Sequence, residues 1–91
     1  MASILKVLGT ERACNTQANS YSSGNLVRLT HAAASTAYHT VTCKDSGGNT
    51  LWTCAIVGGQ EIFVVKNPTD TLETEDTGTS VRAVPVAYRN N

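Results

Sequence analysis

The sequence predicts an all-β protein: a small antiparallel β-sandwich or flattened β-barrel of about six to eight short strands. Valine and threonine are plentiful, with isoleucine and tyrosine in the strand-like runs, and branched or aromatic side chains suit a pleated, half-buried surface. Glycine and Asn/Asp clusters interrupt those runs at short intervals. No segment keeps a 3.6-residue apolar period for three turns, so helix should be scarce. Ninety-one residues make a single β domain, 1–91. At this size folding removes only roughly two-thirds of the unfolded chain's surface from water, which leaves room for one thin sheet-on-sheet core.

The first strand is expected over residues 4–8. Residues 9–24 then run without strand pattern, and a stretch of that length in so small a domain is either disordered or a contact segment. Arg12 and Tyr21 are its candidate contact residues. Strands follow over 25–31, 37–43 and 50–57, the last two joined by Lys44-Asp45-Ser46-Gly47-Gly48-Asn49, whose residues tolerate a positive φ in a tight turn. A register placing Val41 opposite Cys54 puts His39, Val41 and Cys43 on one face with Trp52, Cys54 and Ile56, a credible core face. Cys43 then lies diagonally from Cys54, roughly 7–8 Å away, too far for an unstrained disulfide. Both are expected as buried thiols.

Gly58-Gly59 allows a turn, either a tight hairpin or a crossing to a facing sheet, before a strand over 61–66. Both faces of that strand are largely apolar, so it should be covered on both sides, centrally in the fold or inside an assembly, with Lys66 carrying its charge out at the strand end. Asn67-Pro68 takes the chain out of the ladder, and Asp70 with Glu73 three residues later fits a capping box on one helical turn. A solvated loop returns the chain to a last strand over 81–88. Pro85 cannot donate to a ladder and marks an edge, a bulge or a strand end.

Seven basic and seven acidic side chains cancel, which provides no general field for nucleic acid or anionic lipid. Lys6, Arg12 and Arg28 outnumber Glu11 before residue 41, whereas Asp70, Glu73, Glu75 and Asp76 crowd into seven residues. The two ends should meet different surfaces. No apolar run approaches the roughly 20 residues of a spanning helix, and the start lacks a basic n-region and a cleavage site. A soluble, unprocessed chain is expected, with no membrane partner. Cys14, Cys43 and Cys54 cannot all pair within one chain, which suits a reducing compartment.

His31, His39, Cys43 and Cys54 have no zinc-site spacing, and the acidic run lacks the alternating ligands and glycine of an EF-hand loop. No metal or cofactor is expected. No nucleophile elbow or paired-carboxylate pattern points to an enzyme. Trp52 with Tyr21, Tyr38 and Tyr88 could form a sugar platform, the alternative reading of a carbohydrate-binding module, although Trp52 on the core face argues for packing.

A start running into Gly9-Thr10, the central polar-alternating hairpin, the run "VVKNPTDTL" (residues 64–72) and the closing "VRAVPVAY" (residues 81–88) together resemble a group of small virion structural proteins of marine, cyanophage-type tailed phages. The resemblance covers most of the chain and is specific in the last two segments. It implies a capsid decoration or cement protein on the virion surface, made in the host cytoplasm, with a head-completion or tail protein as alternatives. Its partners would be the major capsid protein and/or copies of the same chain, a trimer among them. It transfers no catalytic residue. Edge strands, termini and complementary patches would make the contacts, and the candidate interface comprises Asp70, Glu73, Glu75 and Asp76 with Arg12 and Tyr21.

Overall fold

A computed structural model describes residues 3–33 and 38–90. The chain is all-β, with eight strands and no helix among the described residues: β1 (Ser3–Val7), β2 (Arg12–Ala13), β3 (Leu26–His31), β4 (His39–Lys44), β5 (Thr50–Ile56), β6 (Glu61–Val65), β7 (Thr71–Thr74) and β8 (Val81–Asn90). They form two antiparallel sheets. The larger has the order β1-β8-β3-β6, with β2 also pairing β8, and the smaller has the order β5-β4-β7. All six expected strands are present with ends shifted by one or two residues. Ala37, expected to start the third, lies outside the described residues, as do the chain ends at 1, 2 and 91.

Period-2 alternation explains both sheets. In β3, Val27, Leu29 and His31 point inward and are buried, as are Val81 and Ala83 on β8. The smaller sheet answers with Val41, Cys43, Ile56 and Leu72, all fully buried, while Trp52 and Cys54 pack against this core half-buried. Burying each large aliphatic is worth about 1.5–3 kcal/mol. The expected hairpin register holds: Val41 stands opposite Cys54 and Cys43 opposite Trp52. Asp45 anchors the turn by accepting the N–H groups of Gly47 and Asn49, both at 2.9 Å, and Gly48 takes a φ of 84°, where a Cβ is unfavourable. The three cysteines are free thiols. Gly58-Gly59 makes a crossing: β5 and β6 lie in different sheets.

Pro85 lies inside the larger sheet, opposite Val27, yet at a break. The Ala32 N–H donates to Ser80 O at 2.8 Å, so positions 82 and 84 bond β3 and the nitrogen of Pro85 points away from it. On that other side β1 pairs β8 only from Val86 onward, β2 pairs it at Arg82 and Ala83, and Leu8 N–H donates to Pro85 O at 2.9 Å. The missing donor therefore falls where the neighbouring strand changes.

Three expectations are corrected. Asp70 and Glu73 form no helical turn; residues 71–74 are β7, which pairs β4 with Cys43 opposite Leu72. Tertiary burial of Leu72 and Thr74 outweighs the local capping signal. Strand β6 is not central in the fold: Ile62 and Val64 pack on the core, whereas Val65 is 75% exposed at a sheet edge, so within the chain one face stays open. Lys66 does not carry its charge outward. It is buried, and its Nζ donates to Asn67 O at 3.2 Å.

Candidate functional interface

Residues 14–24 close one side of the sandwich. Cys14 N–H donates to Val81 O at 2.8 Å, Asn19 and Leu72 exchange bonds of 3.1 and 2.9 Å, and Thr74 N–H donates to Asn15 O at 2.8 Å. The Thr74 hydroxyl donates to Cys14 O at 2.6 Å. The segment thus spans the two sheets, from β8 in one to β7 in the other. Two Asx turns shape it, with Asn15 Oδ1 accepting Gln17 N–H at 2.9 Å and Asn19 Oδ1 accepting Tyr21 N–H at 2.7 Å.

Tyr21, expected as an outward contact, is buried at 2% exposure, and its hydroxyl donates to Ala13 O at 3.1 Å. This anchor helps offset the left-handed backbone at Tyr21, Ser22 and Ser23, with φ of 52°, 58° and 58°. The following Gly24 is required by close approach, since a Cβ there would stand 2.9 Å from Pro85 Cβ. Arg12 is exposed on β2, opposite Ala83.

The acidic residues divide by role. Asp70 is buried and its Oδ2 accepts Asn67 N–H at 3.1 Å, closing the turn that buries Lys66. Asp76 is also buried, accepting Gly78 N–H at 2.9 Å and Ser80 N–H at 3.1 Å. The Gly78 bond, more than the opposing desolvation, holds its carboxyl below the usual range, helped by His39. Both shape loops and are buried rather than displayed, unlike the exposed interface expected of Asp70 and Asp76.

Glu73 and Glu75 do reach the surface. Glu73 pairs with Lys44 across β7 and β4 at 2.9 Å. Glu75 takes the Thr40 N–H at 3.0 and 3.2 Å and faces His39 Nδ1 at 2.9 Å. Burial raises its carboxyl, but N–H donors from its own backbone, Thr40 and His39 outweigh that and hold it below the usual carboxylate range.

With Thr16, Thr40, Thr42 and Thr74, the two glutamates line a shallow groove of about 350 Å³. Thr16 comes from the contact segment, so the structure brings together the two stretches singled out in sequence. The groove offers hydroxyls and carboxylate oxygens at fixed positions, chemistry that accepts ammonium, guanidinium, amide or hydroxyl donors. Sequence reasoning gave no sign of Thr40 and Thr42 and placed Thr16 only within a contact segment, because their joint placement depends on β7 pairing β4.

Nucleophilic chemistry finds no support in the thiols. Burial pushes Cys14 up to about 11, only partly opposed by its contact with Tyr21, and raises Cys43 and Cys54. Among the described residues no three His, Cys, Asp or Glu side chains are disposed to hold a metal ion. Comparisons of the chain with family models, curated proteins and solved structures give no match.

Proposed function

We propose that the protein is a virion structural protein of a tailed phage, most specifically a capsid decoration or cement protein that binds across capsid subunits at the head surface. The sequence support is the likeness of residues 64–72 and 81–88 to such proteins. The structural support is one observation: the contact segment and the acidic stretch meet on one open face, where Thr16, Glu73 and Glu75 share a groove. A decoration protein needs a rigid, polar, complementary patch repeated in many copies, so that modest contacts multiply through effective concentration. A two-sheet fold with a strapped side supplies that rigidity. The partner at this groove is a basic or hydroxyl-bearing surface of the major capsid protein or of a second copy. Trp52 is half-buried against the core, so the sugar-platform alternative gains nothing from it.

The test adds purified protein to capsids that lack it and measures co-sedimentation. Thr42→Lys, on the outward face of β4 at the groove, should abolish attachment while leaving the melting temperature of the free protein near that of the parent. Equal attachment by the two proteins would remove the groove from the interface, and no attachment by the parent would sink the decoration reading.

A further inference from the structure

The edges of the two sheets are not equally guarded. The outer side of β7 is taken by the contact segment, where Asn19 and Leu72 exchange backbone bonds. Strand β1 carries Lys6, while β6 carries Glu61, paired with Arg28, and runs on into Pro68. Charge, proline and covering backbone are the devices that keep an edge from pairing with another chain. Strand β5, the remaining edge, reads Thr50-Leu51-Trp52-Thr53-Cys54-Ala55-Ile56 and has none of them. Its ladder to β4 is regular from Ile56 to Trp52, and the register shifts only beyond Cys43. Thr40 N–H turns to the β7 side, where it meets Glu75, and Asp45 N–H turns to the β5 side, where it meets Asn49 O at 2.9 Å. By the alternation of an antiparallel ladder, Val41 and Cys43 therefore bond Cys54 and Trp52, and the backbone groups of Thr53 and Ala55 point away from the sheet. Neither face of the strand is fully covered: Leu51, Thr53 and Ala55 are exposed outside, and Trp52 and Cys54 are half-buried inside.

We propose that β5 pairs with β5 of a second copy, antiparallel about a two-fold axis at Thr53, joining the two three-stranded sheets into one. The occupant is a second copy because the strand is complementary to itself. In this register Thr53 faces the partner's Thr53, Leu51 faces the partner's Ala55, and Trp52 faces the partner's Cys54. Each unlike pair sets a large side chain against a small one, and no charge meets another. Pairing replaces water on the outward backbone groups with a ladder and covers the open parts of Trp52 and Cys54. One added strand pair is a small interface, which makes the dimer reversible. The contact is isologous and closes at two copies. Residues directly opposite in an antiparallel pair project from the same face, so the two copies present their Glu73–Glu75 grooves on one side, at the far ends of the joined sheet. Such a dimer would engage a shell through two grooves at once; that consequence rests on the capsid role, whereas the pairing does not.

Two measurements on the full chain test the pairing, and neither involves a capsid, so its failure would leave the assembly role untouched. The first is sedimentation from about 1 μM to about 1 mM, the range in which a small interface assembles. The parent should pass from monomer to dimer across it. Thr53→Lys, which sets like charges against each other at the two-fold axis, should raise the dissociation constant at least about tenfold while the dilute protein melts as the parent does. Val65→Lys, on the β6 edge, should associate like the parent. A parent that stays monomeric or forms a trimer or an open series would overturn the proposal, as would Thr53→Lys associating like the parent or Val65→Lys abolishing association. The second is disulfide mapping in a Cys54→Ser background, which stands even where Thr53→Lys folds poorly. Facing residues in this register lie about 5.5 Å apart at Cα, within reach of a disulfide. Oxidised Thr53→Cys should therefore give a covalent dimer, whereas Ala55→Cys, which faces the partner's Leu51, should not. Any other pattern would overturn the pairing.

Discussion

Thr74→Val tests how the contact segment is held. The Thr74 side chain is 3% exposed; its hydroxyl donates to Cys14 O at 2.6 Å and accepts Asp76 N–H at 3.2 Å. Valine keeps the volume and removes both bonds, leaving one carbonyl and one N–H buried near the junction of the two sheets. Each such orphan costs about 1–3 kcal/mol, so the substitution should cost about 2–6 kcal/mol. A domain of this length holds only roughly 5–13 kcal/mol in total. Urea unfolding should show a lower midpoint at unchanged m-value. Amide exchange should speed up around residues 14–19 and 76–80 while β3 and β6 keep their protection. Thr42→Val, on the exposed face of the same sheet, is the control and should shift stability by less than about 0.5 kcal/mol. A Thr74→Val midpoint equal to the control's would refute the claim that this hydroxyl ties the segment to β7.

Three further outcomes are expected. Leu72→Ala, at a fully buried site facing both β4 and the contact segment, should cost about 2–5 kcal/mol in urea unfolding. Alkaline titration should expose opposed linkages: burial lowers Lys66, so its contribution to stability rises as pH climbs toward 10.5, whereas Cys14, raised from 9.0 to about 11, contributes below pH 9 and loses that contribution by about 11, with Cys43, Cys54 and Tyr21, all raised by burial, losing theirs in the same direction. Lys66→Met should remove the rise and leave the loss, read as midpoints against pH. Thiol labelling of the folded protein should reach Cys54 first, with Cys14 and Cys43 reacting only on unfolding, since both are fully buried and the Cys14 thiol stays protonated.

Strand positions and the β4–β5 register were legible because they rest on local patterns: alternation around Val41 and Cys54, and a turn sequence that tolerates positive φ. What sequence concealed depends on partners distant along the chain. Thr71–Thr74 carries a capping signal, and only pairing with β4 and burial of Leu72 make it a strand. Lys66 is the clearest case, since a lysine ending an apolar run ordinarily reaches solvent, and here the Asn67-Pro68 carbonyls turn back to receive it. Glu73 and Glu75 stood out as part of an acidic run, while Thr16, Thr40 and Thr42 beside them come from the contact segment and β4 and gave no signal in linear order. Asp70 and Asp76 belong to the same acidic run, yet both spend their oxygens on backbone N–H groups within their own loops.

The central claim, that this chain decorates a phage head, is tested most directly by density from purified virions. The account predicts copies of the two-sheet domain on the outer capsid surface, with the groove of Thr16, Thr42, Glu73 and Glu75 turned toward a basic or hydroxyl-bearing neighbour. Virions lacking the protein, or density confined to the connector or tail, would contradict it.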